Sequence, residues 1–205
     1  MLKNLVLDLR LIFGVVIAHT LIYFSFHDKA IFWYIFTGSI LVLIAYSMFQ
    51  GDVDDESSFI QYIFFGTISG LILYAVFWLG YQMVENSLFS FDKEIRKLYK
   101  WFAPKLFWEY LALVLVAAPG EELFWRGFVQ KRLMKYFKPA VSIIIGTCAY
   151  ASVHIYSGSI LLIFASLISG LVWGSLYFWK KSMPLIIVSH IIFDLMIFII
   201  LPFKS

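Results

Sequence analysis

Long apolar runs, almost free of charge, take up most of this chain: about 5–26, 30–49, 59–84, 139–156, 159–179 and 184–202. Each approaches or exceeds the roughly 17–25 residues a helix needs to cross the hydrocarbon of a bilayer. Within lipid every backbone N–H and C=O must be satisfied by the protein itself, so only helices and closed barrels can span it. Barrel strands alternate apolar and polar residues, and these runs do not. The chain is 62% apolar and 14% charged, against roughly 45–50% and about 25% in soluble domains. The expectation is an all-α, polytopic transmembrane helical bundle of about seven to eight helices.

Net charge is +3 and no basic tract is present, which argues against a nucleic-acid partner. The single Cys148 excludes an internal disulfide and reads as a packing residue. Lys3 and Arg10 precede the first run as in a signal peptide, but no small-residue cleavage site follows and the run continues through Leu21, Ile22 and Tyr23. It reads as a retained helix. The chain divides into N-terminal transmembrane helices (1–84), an amphipathic interfacial segment (85–105) and a transmembrane core (106–205). In 85–105, Lys93, Arg96, Lys97 and Lys100 alternate with Ile95, Leu98, Tyr99 and Phe102, as expected of a helix lying at a membrane surface. Trp101 and Trp179 suit the aromatic belt at the interface.

Gly66 and Gly70, and the ridge Ser166, Gly170 and Gly174, are small residues at helical spacing and predict close helix packing. Pro119-Gly120 interrupts the run after Leu106 and predicts a broken helix. Basic residues favour the cytoplasmic side. If 106–130 dips in and returns, the basic loops 85–105, 131–138 and 180–183 share one face. If it crosses, the first two fall on opposite faces. The charges favour the re-entrant arrangement.

Ionisable groups within membrane segments are costly and default to a functional reading. Three sets stand out, all in the second half. In Glu121-Glu122-Leu123-Phe124-Trp125-Arg126, Glu122 and Arg126 are spaced as a helical ion pair with the acid first. Glu121 lies about 100° round the helix and stays available as a base. Tyr150 and His154 share a helix face, as do His190 and Asp194 in an otherwise apolar stretch. His19 and His27 read as structural or solvated.

This ordered set, Glu-Glu-x-x-x-Arg, aromatic-x-x-x-His and His-x-x-x-Asp, each on its own apolar segment, resembles the CPBP family: CAAX proteases and bacteriocin-processing (Abi) intramembrane proteases. The resemblance covers roughly 106–200. The family's second motif usually begins with Phe, where this chain has Tyr150, and its third often ends with Asn, where this chain has Asp194. The resemblance implies an intramembrane endopeptidase. Glu121 would activate water, with His154 helping to hold it. Glu122 would pair with Arg126 and orient the helix. His190 and Asp194 would stabilise the oxyanion. A carboxylate at Asp194 donates only if protonated, so the preferred expectation is that it accepts from His190 and sets that ring's tautomer.

No cofactor is expected on this reading. Two other readings use the same residues. Glu121, His154, His190 and Asp194 offer nitrogen and oxygen ligands suited to zinc, although no His-Glu-x-x-His occurs. A non-catalytic membrane protein, in bacteriocin immunity, scaffolding or transport, would also hold charges at membrane depth. The expected partners are the lipid bilayer and a peptide or membrane-protein substrate, lipid-anchored in the CAAX case. A short chain without organelle signals fits a multi-pass protein of a prokaryotic plasma membrane.

Overall fold

The computed structural model describes residues 8–85 and 92–203. The start of the first apolar run, with Lys3, and residues 86–91 of the amphipathic segment lie outside them. Eight helices are described: α1 (Leu9–His27), α2 (Phe32–Met48), α3 (Phe59–Glu85), α4 (Asp92–Phe102), α5 (Phe107–Leu133), α6 (Pro139–Val153), α7 (Ile160–Lys180) and α8 (Met183–Leu195). α6 continues as a 3-10 turn over His154–Ser157, and α8 as a π turn over Met196–Ile200. This is the expected all-α multi-pass membrane bundle. α1, α3, α6, α7 and α8, with their terminal turns, are long and apolar enough to cross a bilayer. α2 is shorter at 17 residues.

The helix ends follow local chemistry. Asp8 caps α1 by accepting the Leu11 N–H at 3.2 Å. Glu109, the charged residue in the apolar start of α5, accepts the N–H groups of Lys105 and Leu106 at 2.5 and 2.9 Å. It satisfies donors that a helix start leaves open and does no chemistry in the core. Pro139 opens α6, where its missing N–H costs nothing.

α5 corrects two expectations. It runs without a break through Pro119-Gly120, over Phe107–Leu133, about 40 Å at 1.5 Å per residue. Proline cannot donate and crowds the carbonyl four residues back. Here π turns at Leu113–Ala117 and Leu123–Gln130 flank it, and such adjustments let membrane helices carry proline. The sharp bend comes earlier, between α4 and α5, at 98°. As a result α4 and 131–138 lie at opposite ends of α5, against the shared face that the charges suggested. Acids pair with several cations at the far end. Lys131 pairs with Asp54 at 2.6 Å, Lys181 with Glu56 at 3.4 Å and Arg132 with Asp8 at 2.6 Å.

α4 is amphipathic as expected, but its apolar side covers the bundle. Leu98, Trp101 and Phe102 join the core made by α1, α2 and α5. The Tyr99 hydroxyl donates to the Ile197 carbonyl at 2.7 Å. Lys29 sits over the Trp101 ring, 3.5 Å from its centroid.

The small residues act as expected. A Cβ on Gly66 or Gly70 would meet the α8 carbonyls of Leu185 or Ser189 at 2.8 and 2.5 Å. α3 therefore lies directly on α8. Gly170 and Gly174 admit Thr147 and Gln130 in the same way, and Gln130 donates to the Gly174 carbonyl at 2.8 Å. Cys148 is exposed rather than packed, because α6 turns Thr147 and Tyr150 inward and leaves position 148 on the outer side.

Two tests follow. In a Cys148→Ser background, Arg96→Cys and Lys135→Cys should react with an impermeant thiol reagent from opposite sides of a sealed vesicle. Labelling from one side would restore the re-entrant arrangement. The second concerns Asp8. Burial raises its pKa, but hydrogen bonds from Arg132, Tyr136 and the Leu11 N–H outweigh this and hold it below the usual aspartate value. A depressed folded pKa stabilises above the unfolded value and loses that contribution as pH falls. Asp8→Asn should therefore lower the melting temperature in detergent at neutral pH, and the gap should close below about pH 4.

Candidate functional site

Glu121 and Glu122 sit midway along α5, between its two π turns. Such turns recur at functional sites because they change which side chains face inward. Glu122 is wholly buried (0% exposed). Its Oε1 accepts from Arg126 Nη1 at 3.1 Å, the expected ion pair, and from His190 Nδ1 at 2.8 Å. The Arg126 guanidinium lies over the Tyr150 ring at 4.6 Å and near the Trp173 ring at 5.4 Å. Both contacts are favourable for a desolvated cation. Glu121 points into a separate space, with its Oε2 accepting the Tyr150 hydroxyl at 2.8 Å. The two neighbouring acids therefore have different surroundings, as their angular offset implied.

α6 supplies Tyr150 and His154, both buried. His154 Nδ1 contacts the Tyr150 carbonyl at 3.0 Å. A carbonyl only accepts, so Nδ1 carries a proton and, on a neutral ring, Nε2 is the bare acceptor. The helix changes to a 3-10 turn at His154 and ends at Gly158, whose φ of +69° suits glycine.

α8 supplies His190 and Asp194. Nδ1 of His190 is committed to Glu122, so Glu122 sets this ring's orientation, and not Asp194 as the sequence suggested. Asp194 Oδ2 lies 3.6 Å from Nε2, beyond hydrogen-bond reach, and Glu121 Oε2 lies 4.0 Å away. Trp173 of α7 stacks on the His190 ring, centroids 3.8 Å apart, and donates its Nε1–H to Ser189 Oγ at 3.1 Å.

Glu121, Tyr150, His154, His190 and Asp194 all line one cavity of about 180 Å³. That volume holds several waters, since one needs about 10–15 Å³ on this measure. Phe26, Phe32 and Phe102 contribute to its walls. Glu122 and Arg126 lie behind the cavity, outside its lining. Among the described residues, no three His, Cys, Asp or Glu side chains are grouped so as to hold a metal ion.

Sequence spacing exposed each residue within a helix but missed the contacts between helices. Glu122–His190 joins residues 68 apart. Trp173 gave no signal at all, being one of seven tryptophans in an apolar chain. The hydroxyl at Tyr150, where Phe is usual, was visible as a departure, and it is this atom that holds Glu121.

Residues 103–196 match the family model described as type II CAAX prenyl endopeptidase Rce1-like. Comparisons with curated proteins and with solved structures gave no match.

Breaking a buried ion pair from one side costs about 3–5 kcal/mol, whereas replacing both partners with apolar groups is often close to neutral. Arg126→Met should therefore destabilise strongly in chemical unfolding. Glu122→Met with Arg126→Met should recover part of that loss, the remainder being the His190 Nδ1–H left without its acceptor. Equal destabilisation by the single and double variants would contradict the pairing.

Proposed function

We propose that this chain, whose residues 103–196 match the type II CAAX prenyl endopeptidase Rce1-like family model, is an intramembrane protease of the CAAX-protease (CPBP) family and hydrolyses a peptide bond with a water activated by Glu121. That match supports a peptide or protein substrate and a bilayer setting. The roles of individual residues are our reading. The observation that carries it is the convergence of Glu121, His154, His190 and Asp194, from α5, α6 and α8, on one cavity at membrane depth.

In this reading the nucleophilic water sits between Glu121 and His154. His154 Nε2 accepts one of its hydrogens and Glu121 takes the proton released on attack. The carbonyl carbon becomes tetrahedral and its oxygen carries the charge. His190 Nε2–H donates to that oxygen. For this His190 must carry both protons, with Nδ1–H held by Glu122. Glu122 accepts at Nδ1 and Asp194 Oδ2 lies 3.6 Å from Nε2, so acidic side chains flank both ring nitrogens and favour that state. Collapse of the intermediate breaks the C–N bond, and Glu121 returns its proton to the leaving amine.

Glu121→Gln and His154→Ala, reconstituted in liposomes with a membrane-embedded or lipidated reporter peptide, should each lose about 10²–10⁴-fold in cleavage rate while unfolding at the wild-type temperature. Full activity in either would refute the assignment. Exhaustive chelation should leave the rate unchanged. A loss that added zinc restores would favour the metal alternative, with Glu121, His154, His190 and Asp194 as ligands.

A further inference from the structure

We propose that His19 is a positioning residue for His154, an inference that rests on the catalytic reading of His154 given above. His19 lies midway along α1, within the apolar run, and its imidazole reaches across to the end of α6. Its Nε2 lies 3.1 Å from Ser152 Oγ, and its Nδ1 lies 2.9 Å from the Tyr156 hydroxyl. These two partners stand two residues before and two residues after His154. The ring therefore spans the point at which α6 becomes a 3-10 turn.

Ser152 Oγ donates to the Ala149 carbonyl at 2.7 Å, so its hydrogen is used and Nε2–H of His19 donates to that oxygen. A neutral ring then leaves Nδ1 bare to accept the Tyr156 O–H. One neutral tautomer satisfies all three groups. Polar groups at membrane depth are costly unless paired, so this bridge persists once α1 and α6 are docked. Tyr156 is held further by edge contact with the His19 and Tyr23 rings at 5.7 and 5.3 Å.

On the inner side of the turn, His154 holds the Tyr150 carbonyl through Nδ1, and the Ser157 hydroxyl donates to the His154 carbonyl at 2.6 Å. Those bonds are local to α6 and its turn. The His19 bridge ties the turn by hydrogen bonds to a different helix, beside the Phe26 ring 6.3 Å from that of His154, and so helps to set where His154 stands in the cavity. A tether of this kind acts on the rate of the bound complex, because displacing a reacting group by about 1 Å can cost 10²-fold. His19 touches neither the cavity nor a substrate within it.

The test compares His19→Ala, Ser152→Ala, Tyr156→Phe, the Ser152→Ala/Tyr156→Phe double variant and the triple variant, all in liposomes. His19→Ala should lower kcat by about 10–100-fold with KM unchanged. The double variant should do the same, and the triple variant no more, because all three remove one bridge. Added imidazole should restore kcat to His19→Ala, since the ring sits in an open groove with Val16 and Thr20. Wild-type kcat in His19→Ala, or losses that add in the triple variant, would overturn the proposal. Should His19→Ala fail to fold, the two conservative variants carry the same test. Hydrogen exchange separates this inference from the reading beneath it. Amides of 154–158 should exchange faster in the double variant than in wild type, whether or not the reporter is cleaved. Unchanged exchange would defeat the tether, while cleavage independent of Glu121 and His154 would defeat only the catalytic reading.

Discussion

The site depends on one buried carboxylate. Glu122, fully excluded from solvent, accepts from Arg126 on its own helix and from His190 on another. A bare carboxylate at that depth would cost several kcal/mol, and it is tolerable only with both partners in place. That requirement brings α5 and α8 together at one level of the membrane. It also frees Glu121: with Arg126 and His190 Nδ1 taken up by Glu122, the neighbouring acid is left to Tyr150 and the cavity. Two adjacent glutamates thus divide into a structural acid and one facing the wet space.

Packing around this link leaves it little freedom. Glycines on α3 let α8 approach backbone to backbone, Trp173 lies flat on His190, and Arg126 is held near both Tyr150 and Trp173. In lipid, where burial of apolar surface gives helices no net reason to associate, such close contacts and hydrogen bonds carry the assembly.

What could be read from the sequence was whatever lies within one helix. Apolar run lengths located the spans because a bilayer imposes them. The four-residue spacing identified Glu122–Arg126, Tyr150–His154 and His190–Asp194 because such residues share a helix face. Two features misled. Pro119-Gly120 looked like a break because proline disrupts ordinary α-helix, yet the flanking π turns absorb it. The basic loops looked co-facial because the rule counts Lys and Arg loop by loop, and it could not see that α5 is one unbroken helix with two of those loops at its opposite ends. Contacts between helices, such as Glu122–His190 and Tyr150–Glu121, have no signature in a single sequence. Their separation along the chain carries no periodicity.

Glu122 holds His190 through Nδ1 and thereby turns Nε2 toward the cavity. Nitrogen-15 NMR of histidine-labelled protein in bilayers reads this directly. His190 Nδ1 should be protonated and hydrogen-bonded to a carboxylate, with that signature lost in Glu122→Gln and retained in Asp194→Asn. A bare Nδ1, or a signature that follows Asp194 instead, would contradict it.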